Sequence, residues 1–194
     1  MYKVDLNIRI RMEALLIPLH IAILYSNDIV LKISDKTVGK RGTVPIYDIM
    51  ISNIGIPLID YYYLPDVFIG VSIMLFLPFV TYATYIQFIK EHMTILLIRS
   101  SAILSTMGHI SARYNVQKRS LGYFNAGFSD LVISGHATTM ALLLCYVLDL
   151  STMWQYSVIS FILIVFGILS NILNGDHYTS DVVLGMALVY FVHY

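Results

Sequence analysis

Long apolar runs interrupted by short polar clusters set the pattern of this chain. Residues 67–89 (VFIGVSIMLFLPFVTYATYIQFI) predict a helix long enough to cross a bilayer, with Pro78 inside it. Lys90, Glu91 and His92 then predict a charged turn, followed by a second run, 93–112, that carries Arg99, Thr106 and His109. Residues 131–150, between Asp130 and Asp149, and residues 154–173 predict two more spans. Asn174-Gly175-Asp176 reads as a turn leading into a last run, 178–194. Near the N-terminus, residues 12–25 and 29–33 are apolar around Asn27 and Asp28, and we read a first span over 9–31. Lys3, Arg9 and Arg11 precede it, but nothing near Tyr25-Ser26-Asn27-Asp28 resembles a small-x-small cleavage site, so the span is expected to be retained. A Pro/Tyr-rich loop, 32–66, and a polar loop, 113–129, with Gly122 and Gly127, complete the chain. No repeat or low-complexity tract is visible. The expectation is one domain over 1–194: an all-α integral membrane bundle of about six transmembrane helices.

Composition sharpens that reading. Hydrophobic residues make up 58% of the 194 positions and charged residues only 12%. Globular chains average about 25% charged, so a conventional water-soluble domain and a disordered chain are both excluded. Twelve basic and twelve acidic residues leave no net charge, and nothing here forms a basic face for nucleic acid. The single cysteine, Cys145, lies in an apolar run and excludes an internal disulfide and a Cys-based zinc site. Six spans put both termini on one side and loops 32–66, 113–129 and 174–177 on the other. Basic residues are somewhat more numerous on the loop side (Lys32, Lys36, Lys40, Arg41, Arg113, Lys118, Arg119) than opposite (Lys3, Arg9, Arg11, Lys90). The positive-inside rule would place those loops in the cytoplasm by a small margin. A loop that binds phosphate headgroups gathers the same residues, so orientation stays open at this point.

Ionisable residues at helix ends in a membrane protein point to function unless they are paired for structural reasons. Two clusters qualify. Ser134-Gly135-His136, with Asp130 upstream, stands where a loop enters the fourth helix. Asp176-His177-Tyr178-Thr179-Ser180-Asp181 stands where a turn enters the sixth. One helix descends from the first cluster and one ascends to the second, so both belong to the same membrane surface. His177 and Asp181 are four apart, one turn along a helical face. A carboxylate on one imidazole nitrogen fixes the tautomer and makes the other nitrogen a better nucleophile or base. His136 is a second imidazole, which Asp130 is placed to orient. Gly135 leaves room for a phosphate or a backbone to approach, and Ser134 is either a site residue or an ordinary helix cap. Helix N-termini favour anions at both histidines. Two histidines and a carboxylate at a phosphate site suit double-displacement phosphoryl transfer, which needs no metal; a zinc site is the competing reading.

These residues carry a resemblance. Ser129-Asp130-Leu131-Val132-Ile133-Ser134-Gly135-His136-Ala137-Thr138 resembles the Gly-Asp-x-x-x-Ser-Gly-His-Thr motif of the sphingomyelin synthase family, in the type 2 phosphatidic acid phosphatase superfamily. His177-Tyr178-Thr179-Ser180-Asp181-Val182 resembles that family's His-Tyr-Thr-x-Asp-Val motif. Arg99 with Thr106, and Pro45-Ile46-Tyr47-Asp48, are looser echoes of its upstream segments, so the resemblance spans about 40–190. Phe128-Ser129 stands in place of the family's Cys-Gly, and Ala137 in place of its Thr. The resemblance implies six helices and a lumenal or exterior site in an endomembrane or the plasma membrane. It implies His136, His177 and Asp181 as catalytic residues, with Asp130, Ser134, Gly135, Tyr178 and Thr179 binding or orienting substrate. The implied reaction moves a phospho-headgroup from a phospholipid such as phosphatidylcholine to ceramide, releasing diacylglycerol, through a phospho-histidine. No cofactor or metal is expected, and the partners are membrane lipids.

The related lipid phosphate phosphatases resemble Ser-Arg-x-x-x-x-x-His at the second histidine, where this chain has Ser170-Asn171 before His177. A phosphate monoester carries about two charges and calls for bidentate arginine; a diester carries one and needs less. The missing arginine favours a diester donor over hydrolysis of phosphatidic acid. Arg99, in the third span, would cost ~2.5–3.5 kcal/mol facing lipid at the bilayer centre. It is expected either to bind the donor phosphate or to pair with Glu91 or an Asp, and its depth, near the Lys90 side, counts against phosphate contact. The fifteen tyrosines, including Tyr61-Tyr62-Tyr63, read first as an interface belt and second as a cage for a quaternary ammonium headgroup.

Overall fold

The computed structural model describes residues 6–38, 43–44, 64–106, 110–111, 133–174 and 177–194, with side chains at 13–30, 64–105, 133–174 and 177–194. Among these residues the chain forms six α-helices: α1 (Leu6–Val38), α2 (Leu64–Phe76), α3 (Tyr82–Thr106), α4 (Gly135–Leu150), α5 (Trp154–Leu173) and α6 (Thr179–His193). Strands of two residues, β1 (Thr43–Val44) and β2 (Ile110–Ser111), pair in parallel, Thr43 opposite Ile110 and Val44 opposite Ser111. The helix content agrees with the hydrophobic pattern.

One boundary does not. The expected helix over 67–89 stops at Phe76, and a short 3-10 turn, Leu77–Phe79, surrounds Pro78. Proline has no N–H to donate and its ring crowds the preceding turn, so the ladder breaks there. The side chain of Thr81 accepts from the Thr84 N–H at 3.1 Å and caps the start of α3. From Tyr82 that helix runs without a break through Lys90, Glu91 and His92, so the expected charged turn is mid-helix instead. A charged triplet marks a turn only when water must satisfy it. Here packed helices do: Glu91 accepts from Gln87 at 2.6 Å and lies 2.8 Å from His193 Nδ1, while His92 Nδ1 is 2.9 Å from His20 Nε2.

The bundle is built around α4, which packs against α2, α3, α5 and α6. Met140, Leu142, Leu143 and Val147 of α4 are fully buried among Ile95, Ile164, Ile168, Val182 and Val189. Helix α1 lies on α3. Its outward positions (Leu15, Leu19, Ile21, Tyr25) and those of α5 (Val158, Ile159, Phe161, Ile162, Phe166) are exposed and apolar, as a lipid-facing surface requires. Glu13–Val30 and Trp154–Leu173 are long and apolar enough to cross a membrane, by length and composition. Leu64–Phe79, α4 and α6 are apolar but shorter, at 16 residues for α4 and 15 for α6.

Helices α2, α4 and α5 close on one another at Gly167. A Cβ there would lie 2.6 Å from Phe68 Cβ and 2.9 Å from Met140 Sδ, so only glycine admits both neighbours. Gly70 on α2 has nothing within 4 Å of its Cβ position. Gly167→Ala is therefore expected to cost ~1–3 kcal/mol by overpacking. Gly70→Ala should gain up to ~1 kcal/mol from helix propensity. Denaturation of the two variants in detergent, side by side, checks the opposite signs.

Candidate active site

Two helix starts meet at one end of the bundle. Ser134 caps α4, its hydroxyl accepting from the Ala137 N–H at 3.2 Å, and its own backbone N–H donates to the Asp181 carbonyl of α6 at 3.2 Å. Gly185 lets the two helices approach, since a Cβ there would sit 3.1 Å from Thr138 Cγ2 and 3.4 Å from the Ser134 carbonyl oxygen. Helices α4 and α6 both begin at this joint, so the positive ends of two dipoles adjoin. The predicted residues Ser134, Gly135, His136, His177, Tyr178, Thr179 and Asp181 all fall at these two starts. Asp130, like His109, Asp176, Tyr61-Tyr62-Tyr63 and Pro45–Asp48, lies outside the described residues.

The second cluster is wound differently from the helical pair expected of it. Tyr178 is extended (φ −76°, ψ 157°) and caps α6, so His177 precedes the helix and does not share a helical face with Asp181. Asp181 Oδ2 accepts from the Tyr178 N–H at 2.9 Å, and Oδ1 accepts from Ser180 Oγ at 3.1 Å. The imidazole Nδ1 of His177 is 3.8 Å from Oδ2, within ion-pair range but beyond a hydrogen bond. Asp181 thus does two things at once, capping the helix start and setting its carboxyl group beside a deeply buried histidine. The His177 N–H donates to the Asn171 carbonyl at 3.2 Å. Asn171, at the position where the phosphatases carry arginine, turns its amide onto the Gly167 and Ile168 carbonyls and holds the end of α5.

His136 finds its carboxylate on another helix. Its Nε2 is 2.9 Å from Asp66 Oδ1, in the first turn of α2, and this pair is more open to solvent than His177. Sequence reasoning missed Asp66 because it closed the 32–66 loop. The signal was present, since one Asp stood ahead of the strongest apolar run, on the same side as both histidines.

Arg99 also joins this end, contrary to the depth inferred from sequence. With α3 beginning at Tyr82 and not near residue 93, Arg99 lies about 26 Å along the helix, near its far end. Its Nε donates to the Ile133 carbonyl at 3.0 Å and its Nη1 to Asn27 Oδ1 of α1 at 2.8 Å. The guanidinium fills the space beside Gly135, where a Cβ would be 2.9 Å from Arg99 Cζ. The room that Gly135 provides is therefore taken by Arg99, whose charge adds to the positive end of α4. Asn27 was likewise not anticipated as a partner.

Among the described residues, this end of the helical bundle holds two histidines, each beside a carboxylate, together with Arg99 and two helix N-termini. Residues 128–194 match the PAP2 superfamily C-terminal family model. That match spans about a third of the chain and takes in α4, α5, α6 and both histidine clusters. The matched segment holds His136, His177 and Asp181, whereas Asn27, Asp66 and Arg99 come to this end from helices that precede it. No curated protein matches the chain.

Loss of the Ser134 hydroxyl in Ser134→Ala is expected to cost ~1 kcal/mol, the usual value of a helix N-cap. Gly135→Ala is expected to cost more than Ser134→Ala, although Ala is the better helix former, because its Cβ displaces Arg99. Thermal denaturation of both variants in the same detergent checks the order.

Proposed function

We propose that this chain is a phospho-headgroup transferase acting between membrane lipids, of the sphingomyelin synthase type. The observation that carries the reading is the Ser134–Asp181 joint, which brings His136 and His177 to one end of the bundle beside Arg99. Among the described residues, Arg99 and two helix ends suit the single charge of a phosphodiester, and Asn171 turns its amide onto backbone carbonyls. The PAP2 C-terminal match supports lipid phosphate chemistry in general; the transfer and its acceptor are our inference.

In this mechanism His177 is the nucleophile. With the Asp181 carboxylate 3.8 Å from Nδ1, Nε2 attacks the phosphorus of the donor phospholipid and the bond from phosphorus to the glycerol oxygen breaks. His136 gives its proton to that oxygen, releasing diacylglycerol. Asp66 holds Nε2 of His136, which leaves Nδ1 to carry the transferred proton. The now neutral His136 then takes the proton of ceramide's primary hydroxyl as that oxygen attacks the phospho-histidine. The nitrogen–phosphorus bond breaks, and a phosphosphingolipid leaves with both histidines restored. Tyr178 and Thr179 border the nucleophile, and we place the site on the lumenal or exterior face of its membrane.

The test is headgroup transfer by purified protein given labelled ceramide and separate pools of phosphatidylcholine, phosphatidylethanolamine and phosphatidylinositol, with products read by mass spectrometry. His177→Ala is expected to abolish the phosphosphingolipid, and His136→Ala and Asp66→Asn to lower its rate roughly 10²–10⁴-fold. Free headgroup phosphate or dephosphorylated lipid in the presence of ceramide would make water the acceptor. Lipid composition indifferent to His177→Ala would remove catalysis from the reading altogether.

A further inference from the structure

Helix α1 presents a polar residue to α3 every seven positions, a spacing that returns each to the same helical face. Glu13 accepts from the Tyr82 hydroxyl at 2.9 Å, His20 Nε2 is 2.9 Å from His92 Nδ1, and Asn27 Oδ1 accepts from Arg99 Nη1 at 2.8 Å and Ser100 Oγ at 3.0 Å. Two of these contacts continue into α4. From Asn27 the line passes through Arg99 to the Ile133 carbonyl. From His20 it passes through His92, whose Nε2 is 3.2 Å from Thr139 Oγ1, and that hydroxyl donates to the Gly135 carbonyl at 2.9 Å. The two lines end on the carbonyls of Ile133 and Gly135, either side of Ser134, and Gly135 immediately precedes His136. Among the described contacts, that between Glu13 and Tyr82 begins neither line.

We propose that α1 is a positioning helix for the catalytic turn: Asn27 and His20, acting through Arg99 and His92–Thr139, fix the backbone on which His136 is mounted. The inference rests on the reading of His136 as the acid–base group. Burial makes the device stiff, since Asn27, His92 and Arg99 are all nearly inaccessible and a polar group cut loose there has no water to turn to. Docking and positioning can be told apart, because all three contacts hold α1 to α3 and, among the described contacts, those of Asn27 and His20 extend to the turn that enters α4.

The experiment uses the full chain in lipid nanodiscs. Turnover of labelled phospholipid, by transfer or by hydrolysis, is measured for Asn27→Leu, Asn27→Asp and Tyr82→Phe, together with thermal midpoints. The imidazole nitrogen signals of His136, assigned by their loss in His136→Asn, are recorded for each. Positioning predicts that Asn27→Leu lowers kcat at least tenfold with KM within twofold and shifts the His136 signals. Asn27→Asp, which keeps an acceptor for Arg99 and Ser100, should recover to within threefold, and Tyr82→Phe should leave both readouts in place. Equal losses in Asn27→Leu and Tyr82→Phe, in step with their thermal midpoints, would reduce α1 to a docked helix and overturn the proposal, as would an Asn27→Leu protein with wild-type kcat. Turnover to water alone would sink the transferase reading while leaving these ratios to judge α1. If the wild type turns over no phospholipid, the His136 signals decide: a shift in Asn27→Leu but not in Tyr82→Phe supports positioning, and no shift overturns it.

Discussion

Every polar group in an apolar bundle must find its partner inside the bundle, and the backbone hydrogen bond from Ser134 to the Asp181 carbonyl is where that constraint becomes a site. The first N–H groups and last carbonyls of any helix lack intrahelical partners. Here the segment entering α4 gives its N–H to α6, while its carbonyls are taken by Arg99 and Thr139. Satisfying the segment that enters one helix thus draws a second helix start and an arginine to the same place. The chemistry-bearing residues are gathered by the same demand. Asp181 carries it further, since its carbonyl serves α4 while its carboxylate caps α6 and faces His177.

The opposite end of α4 and α6 is tied as firmly. His193 lies 2.8 Å from both Glu91 and Asp149, and the Tyr194 hydroxyl donates to Asp149 at 3.0 Å. The ring edge of Tyr146 supports the same imidazole, 4.9 Å away between centroids. Carboxylates from α3 and α4 therefore converge on a histidine at the C-terminal end of α6, where the helix dipole also favours positive charge. These two helices are pinned at both ends, and the distance between the two joints is set by helix length alone.

Much of this was legible in the chain. Ser134-Gly135-His136 and His177 to Asp181 announce themselves by residue type, and counting spans puts them on one side without any knowledge of packing. What failed was reading charge as exposure. Lys90-Glu91-His92 looked like a turn because the partners that bury Glu91 and His92 lie about 100 and 70 residues away in sequence, at His193 and His20. That error moved the start of α3, and with it the depth of Arg99. Asp66 and Asn27 escaped for a related reason: each is a lone polar residue beside an apolar run, and only a neighbouring helix reveals what it serves. Pro78 carried the correct boundary all along, because proline ends a helix for local reasons that need no partner.

The 16 and 15 residues of α4 and α6 have one more implication. At 1.5 Å per residue they are about 22–24 Å long, against a hydrocarbon core of ~30 Å. Pinned together at both ends, neither can lengthen by sliding past the other, so as spans of a bilayer the pair would carry a hydrophobic mismatch of several ångströms. Either the membrane thins around it or the histidine end sits beneath the headgroup plane. On the proposed transferase reading, a phospholipid would then meet His177 without leaving its leaflet, its phosphate sinking a short way toward the acyl chains, into a layer where bulk water is scarce.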